Sequence, residues 1–264
     1  PDSMQRLAEK LDGVMLAPFA RSNTDFLGIG ERDVLRTIEL VKRDYKIDAD
    51  RVYLGGASMG ASGVWAIGAH YPHLFAAAVP ASGRTDYNLW HDIERGVLTQ
   101  FKQLIVDRDY AVTMKCNFRN LPVFAFHGGN DWLIKPDQSR KMVDALKEMK
   151  FEALYHEFPR GDHWSCFDAF DNERLVSWLR TKKRNSRPSH VSYRTYHPRF
   201  NRAYWVGIDD FVEFGKPAAI DVKAENRKVI AVKAENVARF TLDVAAASFF
   251  VDEIEVRLPS GRRL

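Results

Sequence analysis

The stretch Arg51-Val52-Tyr53-Leu54-Gly55-Gly56-Ala57-Ser58-Met59-Gly60 decides how this chain is read. Arg51 to Gly55 is a short, largely apolar run closed by glycine, as a buried strand is. Ser58 follows at once, and Ala61 to His70 then reads as a helix that stops near Pro72. A serine hydroxyl is a weak nucleophile until a base removes its proton. It must also stand clear of the sheet so that a carbonyl can reach it. Glycine two residues before and two after, at Gly56 and Gly60, permits a tight strand-to-helix turn that does this. The same turn sets the backbone N–H of Met59 at a helix N-terminus, where it can donate to a developing oxyanion. A glycine-rich turn with a capping serine shares the pentapeptide; the flanking strand and helix distinguish Ser58.

The same alternation extends in both directions. Gly13 to Pro18 reads as a short buried strand, followed by the polar loop Arg21 to Asp25. Glu31 to Tyr45 reads as a helix, with Val34, Ile38, Val41 and Tyr45 at helical spacing. Beyond the serine, Leu74 to Pro80, Leu121 to Phe126 and Phe151 to Phe158 read as further apolar strands. Ser139 to Met149, with Met142, Val143 and Leu146 on one face, and Phe167 to Leu179 read as helices between and after them. Short apolar strands alternating with amphipathic helices imply an α/β fold, a mostly parallel sheet covered on both faces. Sites in such sheets lie at the carboxyl ends of the strands.

A serine nucleophile needs a histidine base and an orienting acid, and after a turn of this kind they follow in the order Ser, acid, His. Asp131 lies just past the strand at Leu121–Phe126, and His163 just past the one at Phe151–Phe158. Each alone is ambiguous, since an Asp after Gly-Gly-Asn is commonly a turn former. Their order and their common place past strand ends select them. Asp162 and Asp137 are the rival acids. Asp162 adjoins His163, so its side chain is expected to point elsewhere, and Asp137 is expected near a helix start. His127 is a rival base, but it precedes Asp131.

The pattern changes near residue 186. Lys182-Lys183-Arg184-Asn185-Ser186-Arg187-Pro188 reads as a solvated, charged hinge. Beyond it, strict alternation replaces helical spacing: Ile220, Val222 and Ala224; Phe240, Leu242 and Val244; Ile254, Val256 and Leu258. These are expected to be half-buried antiparallel strands. Val-Lys-Ala-Glu-Asn occurs at 222–226 and again at 232–236, as two strands of a meander would. The expected organisation is an α/β unit over 1–186 and a small antiparallel β domain over 187–264.

The bulk numbers set limits. The chain has 264 residues, 45% hydrophobic and 28% charged, ordinary values for a folded protein. A net charge of +4 over this length gives no argument for nucleic acid or a membrane surface, and no apolar run approaches the roughly 20 residues of a membrane-spanning helix. Two cysteines, Cys116 and Cys166, do not fix the compartment. The chain opens at Pro1, and its localisation and oligomeric state are not readable from these residues.

At these residues the sequence resembles the α/β-hydrolase superfamily, and within it the prolyl oligopeptidase and dienelactone hydrolase-like group with its bacterial esterases. The matching stretches are Ile47–Leu54 before the turn, Tyr71–Val79 after it, Asp131, and Gly161-Asp162-His163-Trp164; together the likeness covers about residues 10 to 180. The resemblance implies a doubly wound, mostly parallel sheet, a Ser58, Asp131, His163 triad, and cleavage of an ester or amide through an acyl-enzyme with no cofactor or metal. The tail, with Tyr193–Tyr196 and Asn201–Val206, resembles a small β-domain appended to some bacterial members. In that fold a further strand lies between the ones matching 13–18 and 51–55, and the loop after it supplies the second oxyanion donor. A sheet lacking an interior strand leaves two rows of backbone groups unpaired, at about 1–3 kcal/mol per buried group. The expectation is therefore that the chain is the C-terminal part of a longer protein and that 13–18 does not pair directly with 51–55. Should the two pair, Arg21 or Asn23 would stand near the site.

Trp132 follows the acid, Trp164 the histidine, and Trp90 the strand at Leu74–Pro80, so these aromatics are candidates for a substrate pocket. They suit an apolar or saccharide-linked ester, or a peptide. The triad chemistry serves ester and peptide alike; the ester is the first reading, a prolyl oligopeptidase-like peptidase the second. A non-catalytic binding protein on a hydrolase scaffold is the reading from a different class, and an intact triad argues against it.

Overall fold

A computed structural model of the chain describes residues 2–225, 228–247 and 255–257. Its first part runs α1 (Asp2–Lys10), α2 (Ile29–Asp44), β1 (Tyr53–Ala57), α3 (Met59–His70), β2 (Ala77–Ala81), α4 (Tyr87–Trp90), α5 (Gln100–Asp109), β3 (Val123–Gly128), α6 (Asp137–Glu148), β4 (Ala153–Phe158) and α7 (Glu173–Thr181). The four strands form one parallel sheet in the order β1-β2-β3-β4, with Tyr53 opposite Ala77 and Val123 opposite Ala153. Because side chains alternate across a strand, β2 and β3 feed two cores. Ala78, Val123 and Ala125 pack with Val64, Ile67, Met142 and Leu146 on one face. Ala77, Val79, Phe124 and Phe126 pack with Phe170, Leu175 and Leu179 on the other. The first part is thus an α/β fold, a parallel sheet packed on both faces.

Some elements differ from their sequence reading. Residues 13–18 form no strand, and Val14 is exposed. Among the described residues β1 has β2 on one side and no strand on the other. An apolar cavity of about 660 Å³ lies along that open edge, lined by Leu7, Leu16, Val41, Leu54 and Val64 among others. Without a neighbour to complete a ladder, 13–18 has no pairing to hold it extended. Tyr45 faces solvent as the residue that ends α2. The expected helix at 167–179 is split: a 3₁₀ segment, His163–Asp171, precedes α7, whose first turn is capped by the Asn172 side chain accepting from the Arg174 N–H.

Among its described residues, the second part is all β apart from one short helix. It comprises β5 (His190–Thr195), β6 (Arg202–Ala203), β7 (Val206–Phe211), β8 (Ala218–Ala224), β9 (Val229–Glu235), β10 (Val237–Leu242), α8 (Val244–Ala247) and β11 (Glu255–Arg257). The strands form two sheets, β10-β7-β6 and β11-β9-β8-β5, which share a core of Tyr193, Trp205, Ile208, Ile220, Val222, Ile230 and Val232. The two Val-Lys-Ala-Glu copies lie on antiparallel neighbours, Val222 opposite Val232. One expected direction is corrected: β11 runs parallel to β9. The chain leaves β9 for β10 in the other sheet and passes through α8 before returning, so no hairpin joins the two strands. Ile254 and Leu258 of that alternation lie outside the described residues.

The stretch 182–188 is solvated at Lys183, Asn185, Ser186 and Arg187 but tied to the first part at two other residues. Arg184 pairs with Asp50 at 2.8 Å and donates to the His73 carbonyl at 2.5 Å, and Lys182 pairs with Glu152. The Asn117 side chain accepts from the Arg194 N–H at 2.7 Å and donates to the Arg194 carbonyl at 2.9 Å, standing in for a strand partner along β5. The Tyr193 hydroxyl donates to the His70 carbonyl at 2.8 Å.

Candidate active site

β1, β3 and β4 deliver the three candidate residues to one end of the sheet. Ser58 follows β1 directly and occupies φ 53°, ψ −116°, a backbone conformation disfavoured for a residue with a side chain. Its N–H is held by the Ala81 carbonyl at the end of β2 (2.9 Å). Gly56 is required here: a Cβ on it would fall 2.5 Å from the Gly60 carbonyl group and 3.1 Å from Ala61 N. Gly60 is not required in the same way, because a Cβ there would meet nothing within 4 Å. Met59 is the first residue of α3, so its N–H has no acceptor within the helix.

The Ser58 hydroxyl lies 2.7 Å from His163 Nε2, and His163 Nδ1 lies 2.8 Å from Asp131 Oδ2. Because the carboxylate can only accept, Nδ1 carries the proton and Nε2 is left to accept from Ser58. The loops bearing Asp131 and His163 approach closely at Gly128, where a Cβ would stand 2.2 Å from the Asp162 carbonyl oxygen. Asp131 Oδ1 accepts from the N–H groups of Leu133 and Ile134 at 3.0 and 2.9 Å. Burial works to raise the Asp131 pKa, but hydrogen bonds from His127, Ile134 and His163 outweigh it and hold the carboxyl at about 2. The neighbouring Cys166 thiol is pushed up to about 12, by burial first and then by the Asp131 charge. Cys116 and Cys166 are both free thiols.

The rival residues have other partners. The Asp162 side chain accepts from the Trp164 N–H, capping the 3₁₀ segment. Asp137 begins α6 and pairs with Arg140. His127 is fully buried at the end of β3, with Nδ1 2.7 Å from the Ser139 hydroxyl, Nε2 2.8 Å from the Ile134 carbonyl and 3.3 Å from Asp131 Oδ2. Arg21 is turned to Asp33 on α2.

Of the candidate pocket aromatics, Trp132 and Trp164 are 74% and 66% exposed, each next to a residue of the hydrogen-bonded chain. Trp90 is half-buried and lies under Arg84, whose guanidinium sits 4.1 Å from the ring centroid. Arg84 also donates to Ser62 Oγ and pairs with Asp25. Ser62 lies one turn into α3 and its N–H bonds the Ser58 carbonyl at 3.1 Å, so Trp90 is tied to the turn. Sequence reading did not find Arg84 or Ser62, because nothing in their spacing announces the contact.

The chain is 32% identical over 124 residues to an uncharacterized secreted protein of Arthroderma benhamiae, a stretch covering 45% of this chain and 13% of that protein. It is 27% identical over 155 residues to dipeptidyl-peptidase 5 of Porphyromonas gingivalis, covering 53% of this chain and 22% of that one. The matched region thus spans less than a quarter of either relative. Among solved structures, a thermostable esterase matches at 25% identity and a TM-score of 0.44, over 58% of this chain and 37% of that one. Residues 29–182, which contain Ser58, Asp131 and His163, match the model of the prolyl oligopeptidase family. The chain therefore belongs to the prolyl oligopeptidase family.

Proposed function

We propose that this chain carries the acyl-transfer site of an enzyme that hydrolyses a carboxylic ester or an amide through an acyl-enzyme. The observation that carries this reading is the unbroken chain from the Ser58 hydroxyl through His163 to Asp131, with 2.7 and 2.8 Å links. Ser58 Oγ attacks the substrate carbonyl while His163 Nε2 takes its proton. Asp131 fixes the ring orientation and stabilises the imidazolium that forms. The Met59 N–H donates to the oxyanion of the tetrahedral intermediate. Its collapse expels the alcohol or amine, which takes the proton back from His163. Water then repeats the sequence against the acyl-Ser58 ester, and the carboxylic acid leaves.

For the substrate, the exposed Trp132 and Trp164 beside the site suit an apolar or saccharide-linked ester. The peptidase reading is supported by family membership and by the match to a dipeptidyl-peptidase. Treatment with a fluorophosphonate probe is expected to label Ser58 in the wild type and not in Ser58→Ala. Labelling elsewhere, or none, would make the chain a binding scaffold. Parallel assays on nitrophenyl esters and proline-containing peptides then separate esterase from peptidase.

A further inference from the structure

His127 shares Asp131 with His163 from the other side. Its two ring nitrogens have different partners, and those partners fix its hydrogens. Nε2 is 2.8 Å from the Ile134 carbonyl, which can only accept, so Nε2 carries a hydrogen. Nδ1 is 2.7 Å from Ser139 Oγ, which can donate to it. With the ring held at both ends and fully buried, the hydrogen-bearing Nε2 also faces Asp131 Oδ2 at 3.3 Å, an ion-pair distance, while its hydrogen bond goes to the Ile134 carbonyl. That oxygen is the one that accepts from His163 Nδ1 at 2.8 Å. The other oxygen, Oδ1, is taken by the Leu133 and Ile134 N–H groups. Ile134 therefore acts twice: its N–H holds Asp131 and its carbonyl aims His127.

We infer that His127 is a positioning residue for the acid. Held by Ser139 and Ile134, it fixes Asp131 Oδ2 toward His163 and draws off part of the negative charge that His163 feels. The inference rests on the proposed roles of Ser58, His163 and Asp131. His127 is not a base in this arrangement, since its one free lone pair faces Ser139.

Two effects follow from removing the donor. Asp131 loses one of its restraints, so the His163 ring is less well aimed. Its carboxylate also presents more charge to His163, favours the imidazolium, and moves the acid limb of the pH–rate profile upward. The other ionisable groups around the pair do not confuse this readout. Cys166, on the 3₁₀ segment, stays a neutral thiol near pH 7. Glu157, on β4 beside His127, is held below the usual carboxylate range by Arg140 and stays charged.

The test measures the pH dependence of Ser58 labelling by a fluorophosphonate, together with the low-field proton resonance of a histidine N–H held by a carboxylate. His127→Leu is expected to slow plateau labelling by about tenfold or more, to raise the acid limb by about half a pH unit, and to shift the low-field resonance. His127→Gln, whose amide N–H can reach where Nε2–H was, is expected to recover most of both losses. Ser139→Ala, a small change that leaves His127 in place, is expected to slow labelling in the same direction and carries the test if His127→Leu does not fold. The inference is overturned if the plateau rate of His127→Leu or Ser139→Ala stays within about twofold of wild type. It is equally overturned if Gln loses as much as Leu with the acid limb unmoved, the mark of a merely structural residue. Absence of Ser58 labelling in the wild type while the resonance still moves in His127→Leu would sink the proposed function and leave the positioning role standing.

Discussion

Phe200, from the β-rich second part, lies flat on the ring of His70, the last residue of the helix that begins beside Ser58. The ring centroids are 3.8 Å apart and the planes differ by 10°. His70 Nε2 donates to the Arg108 carbonyl at 2.9 Å, and its Nδ1 sits 2.5 Å from the buried Glu31, which Arg199 pairs with at 2.8 Å. One helix end is thus gripped by α2, by α5 and by the loop between β5 and β6. Phe200→Ala is expected to lower the unfolding free energy by about 3–5 kcal/mol, the usual cost of emptying a buried Phe site. Denaturant midpoints check this. Because the grip is at the far end of α3 from Ser58, the folded variant should label Ser58 at a rate within about threefold of wild type.

Ser58 is expected to show a trade of stability against chemistry. Its φ of 53° is strained for any side chain, at about 1–3 kcal/mol, less whatever entropy glycine adds to the unfolded chain. Ser58→Gly should therefore be more stable than Ser58→Ala by about 1 kcal/mol, read from thermal or chemical unfolding. Equal stabilities would mean that the turn stores no strain.

Asp131 should leave a signature in acid. Its carboxyl, held at about 2 against an ordinary 3.8, stabilises the fold fully above the unfolded value. That contribution disappears as the pH falls through the folded value, so the window runs from about pH 4 to about pH 2. Asp131→Asn lacks it. The stability advantage of wild type over this variant is expected to shrink by about 2 kcal/mol between about pH 5 and pH 2. A constant difference across that range would remove the charge from the account.

The two glycines of the turn should behave differently. Gly56→Ala places a methyl 2.5 Å from the Gly60 carbonyl group and is expected to unfold the turn or abolish Ser58 labelling. Gly60→Ala meets no neighbour within 4 Å and is expected to fold with little loss. Thermal midpoints and probe labelling of the two variants, side by side, decide it.

The α/β fold was readable because β2 and β3 are buried on both faces and so are almost wholly apolar, and because α2 and α6 carry one apolar stripe each. Ser58, Asp131 and His163 stood out as candidates because each falls just past an apolar strand, β1, β3 or β4. The direction of β11 was not readable, since alternation reports which side chains face inward and says nothing of which neighbour a strand chooses. The stretch 13–18 is apolar enough for a strand, but a strand also needs a partner. His127 looked like a rival base, and its actual surroundings depend on a serine in α6 and a carbonyl in the next loop. Phe200 against His70 joins residues far apart in sequence, and no local pattern encodes that.

The open edge of β1 has a consequence for the behaviour of the chain in solution. A row of strand N–H and carbonyl groups flanking an apolar cavity is a template, and a second polypeptide strand can complete it. As concentration rises, the chain is expected to self-associate through this edge and to bind hydrophobic dyes while still folded. Charged residues introduced along the facing stretch, at Val14 or Leu16, should keep it monodisperse.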